Sequence, residues 1–295
     1  MANNHTAGAA ARTFAPSELC QRMLAKTSKG TCGPCILYLE DGTIFYGRAC
    51  GAEGTATGEV CFNTSLEGYF EVMTDPSYAG QIVTMTYPQI GNYGIDETDA
   101  QSAFPGDAVR PASAPAMRGM IVRDMCATPS NWRSAVSVPE YLRAHGIVAI
   151  EGVDTRALVR HLRDNGSKMG IISTEIFDVD ELAERLAAAP TLVGENLVKT
   201  VSCPAPHEFV SADLPATHDF ALAAAAPARH KVVAYDCGVK RGILEGLVRA
   251  GCDLTVVPWD TPASEVLDMN PDGVFLPTAP ATPMPWWRPT SRCSS

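Results

Sequence analysis

The chain has 295 residues, a formal net charge of -10 at pH 7 and a sequence pI near 5.1. A sequence-independent nucleic-acid binder needs a positive surface that releases counterions from phosphates, and here Lys and Arg are scattered within an acidic chain. No apolar run approaches the ~18 residues that span a bilayer, and residues 1–16 lack the apolar segment of a signal peptide. We therefore expect a cytoplasmic protein that binds neither nucleic acid nor membrane.

The cysteines are dispersed along the chain, which indicates reduced thiols rather than a disulfide framework. Cys32 and Cys35 have the spacing of a redox or zinc half-site, but no second pair follows at metal-ligand spacing. Residues 1–35 show no hydrophobic period and are predicted to form a loose extension. No metal site is expected.

Residues 36–175 predict a β-rich first domain. Two apolar runs flank Asp41-Gly42, a pair that favours a hairpin turn because both residues tolerate positive φ. Runs rich in apolar and β-branched residues predict strands over residues 59–63 and 81–87. Between them, Asp75-Pro76-Ser77 has the chemistry of a tight turn.

Later parts of this domain carry helix and loop signals. Prolines and glycine predict an irregular loop over residues 101–117, and strand character resumes at 119–124. Ser137 and Glu140 form a capping box for one helix, while Asp154 caps a second helix that ends at Gly166. Strands are predicted at 147–150 and 170–173.

The remaining chain predicts a second, incomplete domain. Residues 176–229 comprise a helix over 178–189 and an Ala- and Pro-rich linker from residue 204. Residues 230–276 then alternate strand and helix, which is typical of a parallel doubly wound sheet with its first three strands. The fold class is therefore mixed α/β.

Residues 58–92 read GEVCFNTSLEGYFEVMTDPSYAGQIVTMTYPQIGN, and this segment resembles the small, glutamine-handling subunit of carbamoyl-phosphate synthase. Several further islands occur in the family's order, which makes the resemblance far more specific than a lone motif. They are residues 119–124, 130–133, 146–150, 154–156, 233–236 with Gly238, Lys240-Arg241, and 269–273. The resemblance extends from about residue 36 to residue 276.

The resemblance implies a β-rich N-terminal domain unique to the family, of β/β/α type, followed by a flavodoxin-like class I glutamine amidotransferase domain. It implies that such subunits hydrolyse L-glutamine and pass ammonia to a large subunit that makes carbamoyl phosphate for pyrimidines and arginine. ATP and metal are expected on that large subunit, and no cofactor on this chain. The serine that matches Ser77 lies at the family's glutamine pocket; from turn chemistry alone, Ser77 is a plain turn residue.

The chemistry of this family requires a cysteine nucleophile, a histidine base, an acidic residue and an oxyanion hole. The family carries them in a Gly-x-Cys-x-Gly elbow and a His-x-Glu pair, and these 295 residues contain neither. Cys237 and Cys252 are interpreted as small buried hydrophobic side chains. His145, His161 and His230 have no acidic partner at triad spacing, so we assign no catalytic residue.

Residues 277–295 read as an aberrant tail. The family's loop after the third strand is glycine-rich, whereas Ala279 and Ala281 occupy the corresponding positions here. We hypothesise a one-base deletion near the codon of Leu276; the alternative is a genuine tail with another purpose.

Two classes of function follow. The chain is either the glutaminase subunit of the synthase, or a non-catalytic module or pseudogene product that docks on the large subunit without generating ammonia.

Overall fold

The computed structural model describes residues 33–102, 114–190, 195–210, 227 and 229–277. Thirteen strands and seven α-helices lie in these residues. The strands are β1 (Pro34–Leu39), β2 (Ile44–Ala49), β3 (Thr55–Asn63), β4 (Gln81–Met85), β5 (Gln89–Ile90), β6 (Gly119–Ile121), β7 (Asp124–Met125), β8 (Val148–Glu151), β9 (Lys168–Ser173), β10 (His207–Phe209), β11 (His230–Asp236), β12 (Cys252–Pro258) and β13 (Gly273–Phe275). The helices are α1 (Tyr69–Thr74), α2 (Val138–Ala144), α3 (Thr155–Asn165), α4 (Val179–Ala188), α5 (Val198–Val201), α6 (Arg241–Arg249) and α7 (Ala263–Asp268).

The first domain is a closed barrel of seven strands in the order β1-β2-β8-β6-β4-β3-β9. The predicted hairpin is confirmed, since β1 and β2 pair antiparallel around Gly42, whose φ is 85°. By contrast, the pairs β3–β4, β4–β6 and β6–β8 are parallel and need crossover connections. The barrel closes where β1 and β3 each pair antiparallel with β9.

Side chains from one face of each strand fill the interior of the barrel. Along β1, Leu37 and Leu39 point inward, whereas Ile36 and Tyr38 point outward, because successive side chains lie on opposite faces of a strand. The barrel is closed at one end by α3, whose Leu158 and Leu162 pack on the inward-facing side chains. The inward-facing residues are Cys35, Leu37, Leu39, Val60, Ile82, Ile121, Val148, Ile150 and Ile172.

Two outer layers cover the barrel. The helices α1 and α2 pack on the outward residues of β4, β6 and β8, and Phe70 meets Tyr141 edge to face with centroids 5.3 Å apart. On the other side, α4 packs on the outward residues of β1 and β9. Predicted helix signals are confirmed: Ser137 and Glu140 form the capping box, and the Asp154 carboxylate accepts from the Ala157 amide at 3.0 Å.

The second domain contains a four-stranded sheet in the order β10-β12-β11-β13. The predicted parallel strands are confirmed, with β11 between β12 and β13. The α6 residues Leu244 and Val248 pack on one face of the sheet, and Val266 of α7 belongs to a separate cluster with Val233 and Val257.

Two predicted boundaries are corrected. The linker prediction is wrong at residues 207–209, because β10 pairs antiparallel with β12 and buries Phe209. The loose extension does not reach residue 35, because Cys35 is a buried residue of β1. Residues 211–226, most of residues 1–35 and residues 278–295 lie outside the described residues, as does most of the predicted loop over 101–117. Within the described part of the chain, no helix has the length and hydropathy of a membrane span.

Gly47 of β2 is a point where the barrel tolerates no side chain. A Cβ atom there would overlap the carbonyl oxygen of Glu151 and lie 2.6 Å from Cγ1 of Ile150. We expect Gly47→Ala to lower the free energy of unfolding by about 1–3 kcal/mol, because β8 must move. Gly33→Ala is the matched control, since its Cβ would meet nothing within 4 Å. Urea unfolding of both variants measures this, and equal midpoints would contradict the expectation.

Asp41 connects the β1–β2 turn to α3, because its carboxylate lies 2.6 Å from Nε2 of His161. Burial raises the pKa of Asp41, but hydrogen bonds from His161 and Thr43 outweigh it, so the pKa is below the ordinary 3.8. A carboxylate whose pKa is lowered by folding stabilises the fold at pH values above its pKa in the unfolded chain. This contribution is lost as the pH falls through the pKa of the folded state.

We therefore expect His161→Asn to be less stable than the parent chain at about pH 5, with the difference shrinking toward about pH 3. Urea midpoints measured across that range provide the test. A difference that stays constant with pH would show that the His161 contact acts through packing alone.

Candidate functional site at the junction of the two domains

Ser77 lies in a 3₁₀ turn that directly follows α1. Asp75 ends the helix, Pro76 begins the turn, and the Asp75 carboxylate accepts a hydrogen bond from the Ser77 amide at 2.9 Å. This is the turn chemistry predicted from the sequence. Ser77 itself is half-buried, whereas the side chain of Asp75 is only 6% exposed.

The turn faces the second domain through Asp75. Its other carboxylate oxygen lies 2.6 Å from Nζ of Lys240, in the loop between β11 and α6. A nearly buried carboxylate is thus partnered both by its own turn and by a cation from the other domain. This pairing offsets much of the desolvation cost of the charge.

Gln101 of the barrel domain caps the N-terminus of α6. The first amides of a helix have no partner within it, and Lys240 supplies no side-chain cap. The amide of Arg241 instead donates to the backbone oxygen of Gln101 at 2.9 Å, and that of Gly242 to its side-chain oxygen at 3.3 Å. Ser102 adds a β-bridge to Lys240. The first amides of α6 therefore find their hydrogen-bond acceptors in the first domain.

Asp236 organises the loop that carries Lys240. One carboxylate oxygen accepts from the amides of Gly238 and Val239 at 3.0 and 3.1 Å, and the other accepts from the amide of Cys203 at 2.7 Å. Gly238 has a φ of 92°, which favours glycine. The loop lies at the carboxyl edge of the parallel strands, where open α/β sheets bind ligands.

A cavity of about 230 Å³ lies beside the turn. Pro76, Ala79 and Gly80 contribute to its wall, as do Thr200 and Val201 of α5. The turn that carries Ser77 is therefore bordered by the second domain's loop and by a small cavity.

Two cysteines of this region, Cys203 and Cys237, have a raised pKa. Burial, reinforced by the nearby Asp236 charge, raises the pKa of Cys237 to about 11 and that of Cys203 to about 12. Burial also raises the pKa of Cys35 to about 12, which argues against a reactive Cys32–Cys35 pair. The prediction that Cys237 and Cys252 are buried is wrong, because both side chains are only half-buried.

Two of the candidate histidines, His145 and His161, belong to the barrel domain, whereas His230 lies opposite Cys252 in the parallel β11–β12 register. His145 packs on Tyr141 at the end of α2, and burial lowers its pKa. His161 does have an acidic partner, Asp41, which sequence spacing did not indicate, but both belong to the barrel. His230 is exposed at the start of β11. Among the described residues, no cluster of three or more potential metal ligands is found.

These features define a class of protein: a β-barrel domain joined through a polar junction to an α/β domain with a parallel sheet. Residues 37–172 match the family model "Carbamoyl-phosphate synthase small chain, CPSase domain", and residues 233–290 match "Glutamine amidotransferase class-I". The second match passes residue 276, where the resemblance was expected to end. The chain belongs to the carbamoyl phosphate synthase small-chain family.

Curated relatives support this assignment. The chain is 50% identical over 250 residues to the carbamoyl phosphate synthase small chain of Syntrophotalea carbinolica, covering 85% of this chain and 64% of that protein. It is 48% identical over 251 residues to the small chain of Thermosynechococcus vestitus, covering 85% and 63%. The chain thus spans somewhat less than two thirds of these relatives' lengths.

Similarity to solved structures is remote. A peptidase M28 precursor from Shewanella amazonensis aligns with a TM-score of 0.26 and 9% identity, covering 52% of this chain and 39% of that one.

Sequence reasoning missed several residues of the junction. Gln101 and Lys240 contact the opposite domain, and each lies far along the chain from its partner. Asp236 holds the loop that carries Lys240. The islands of resemblance included Asp236 and Lys240 without indicating a role. Ser77 lies at the junction, and its role toward glutamine stays a prediction.

Loss of the Lys240 charge should loosen the junction. Because Lys240 is 46% exposed, we expect Lys240→Met to speed hydrogen exchange of the Arg241 and Gly242 amides only about threefold, or roughly 0.7 kcal/mol. Lys199→Met, at an exposed lysine of α5, is the control. Exchange monitored by mass spectrometry after proteolysis measures both, and unchanged rates in the Lys240 variant would mean that the ion pair contributes nothing to the contact.

Proposed function

We propose that the chain functions as the small subunit of a glutamine-hydrolysing carbamoyl-phosphate synthase and binds the large synthetase subunit. The observation that carries this proposal is the match of residues 37–172 to the small-chain domain, together with 50% identity to a named small chain. Carbamoyl phosphate for pyrimidine and arginine synthesis would be the product of the assembled ligase. ATP and metal would bind to the large subunit, and the assembly would work in the cytoplasm.

The junction supports a role in presenting glutamine. An amidotransferase must hold an amide substrate in a cleft with fixed polar groups. Here the Ser77 hydroxyl lies in a turn whose neighbour Asp75 contacts the second domain through Lys240. We assign Ser77 to the binding of L-glutamine, where its hydroxyl would donate to or accept from the substrate.

The catalytic nucleophile and its base are the groups that these residues do not supply. Attack on a carboxamide needs a thiolate beside a base, and the 295 residues contain neither a Gly-x-Cys-x-Gly nor a His-x-Glu sequence. The pKa of Cys237 is raised rather than lowered, the opposite of an activated thiol. We therefore propose that this polypeptide does not release ammonia from glutamine.

The second candidate function follows from that proposal: a module that binds the large subunit without a glutaminase reaction. What favours it is the closed barrel, which has its own core and covering helices and does not depend on a nucleophile. The two candidates share the partner and differ in the source of nitrogen.

The test is to combine the 295-residue polypeptide with the large subunit, ATP, Mg²⁺ and bicarbonate. We expect co-elution with the large subunit in gel filtration, and carbamoyl phosphate from ammonium chloride but not from amide-¹⁵N-glutamine. The large subunit alone is the reference for ammonium-dependent synthesis.

Labelled carbamoyl phosphate formed from glutamine would overturn the proposal of a non-hydrolytic chain. Failure to co-elute at any protein concentration would overturn the proposed partnership itself.

A further inference from the structure

A second concave surface lies at one end of the barrel and shares no lining residue with the cavity beside the Ser77 turn. It encloses about 550 Å³ between the ends of β3 and β4 and the helix α3. Thr64 and Thr86 follow the two strands, while α3 contributes Thr155 and three arginines, Arg156, Arg160 and Arg163. We call these six residues the arginine face.

The arginines form a local positive surface on an acidic chain. All three are exposed, recur along one side of α3 at helical spacing and line the same concave surface. Arg163 pairs with Asp164 at 2.9 Å. Among the described residues no ion pair is formed by Arg156 or Arg160, and both remain available. A net charge of -10 makes this concentration of positive charge unusual for the chain.

Two exposed apolar side chains flank Thr64 along the chain. Phe62 lies opposite Thr84 in the parallel β3–β4 register, two residues before Thr64 on the same side of the strand, and is 38% exposed. Leu66, two residues beyond Thr64, is 74% exposed. Exposed apolar groups beside arginines are typical of a surface that binds another protein, whereas a small anion needs no such border.

We infer that the arginine face binds an acidic segment of a protein partner, in which two or more carboxylates pair with Arg156 and Arg160 while Phe62 and Leu66 contact apolar atoms. Guanidinium groups bind carboxylates through paired hydrogen bonds, and opposite charges speed and orient association. The inference rests on the proposed function in one respect, since it takes the large synthetase subunit as that partner.

The test uses charge reversal in the full chain. We expect Arg156→Glu combined with Arg160→Glu to weaken binding to the large subunit by about tenfold or more, and to flatten the salt dependence of the remaining affinity. The control combines Arg185→Glu with Lys199→Glu, an equal change of charge at exposed positions outside the arginine face. Titration calorimetry at two ionic strengths measures each affinity.

The outcomes separate the two proposals. If the parent chain and the control bind while the Arg156/Arg160 variant binds weakly, the inference is supported. If all three bind equally, the arginine face is not the contact, although the proposed partnership stands. If the parent chain itself does not bind, the proposed function fails first.

Two further measurements distinguish a carboxylate-binding face from a misfolded variant and from a small-anion site. Arg156→Gln with Arg160→Gln keeps the polarity of the side chains and should give an intermediate loss if the charge matters; a normal affinity in this folded variant would contradict the inference. Inorganic phosphate should weaken the complex no more than chloride at equal ionic strength. A specific effect of phosphate would show that the face holds a small anion instead.

Discussion

The closed barrel depends on a strict division of its strands into inner and outer faces. Leu37, Ile82 and Ile172 fill an interior that α3 closes at one end, while outward residues such as Ile36 and Val83 carry separate layers of helices. A shift of one residue in any strand would exchange these two sets, so the register is strongly specified. Close packing between strands also explains why glycine occupies positions 47, 119 and 170, where a Cβ atom would approach a neighbouring strand.

The position of the junction between the two domains depends on the barrel. Because α1 is fixed on the outer face of the barrel, the Asp75 turn is held at a defined position, and its carboxylate can meet Lys240 without rearrangement. Asp236 holds the opposing loop in a similar way, through three backbone amides. Asp75 and the Lys240 loop are each held by hydrogen bonds on their own side of the junction, which reduces the entropy lost when the contact forms.

Much of the fold could be predicted from local signals, and the remainder depended on distant partners. The Asp41-Gly42 turn, the Ser137 capping box and the Asp75 turn are encoded by residues within a few positions of each other. The parallel pairing of β3 with β4 is not, because parallel register depends on crossovers rather than turn residues. The strand at residues 207–209 was missed because it is short and pairs with a strand far along the chain, amid a composition typical of linkers. For the site, sequence could indicate Ser77 by resemblance, but neither Gln101 nor the His161–Asp41 pair had a local signature.

The pairing of β1 with β9 also has a consequence for how the protein forms. Ile36 lies opposite Ser173 in this register, so the first strand stays without one of its neighbours until the ribosome has released nearly the whole domain. Contacts of such long sequence separation slow folding, because loop closure precedes any gain from burial. During synthesis the β1–β2 hairpin therefore presents an unprotected edge, and nascent chains held at this stage are candidates for chaperone binding.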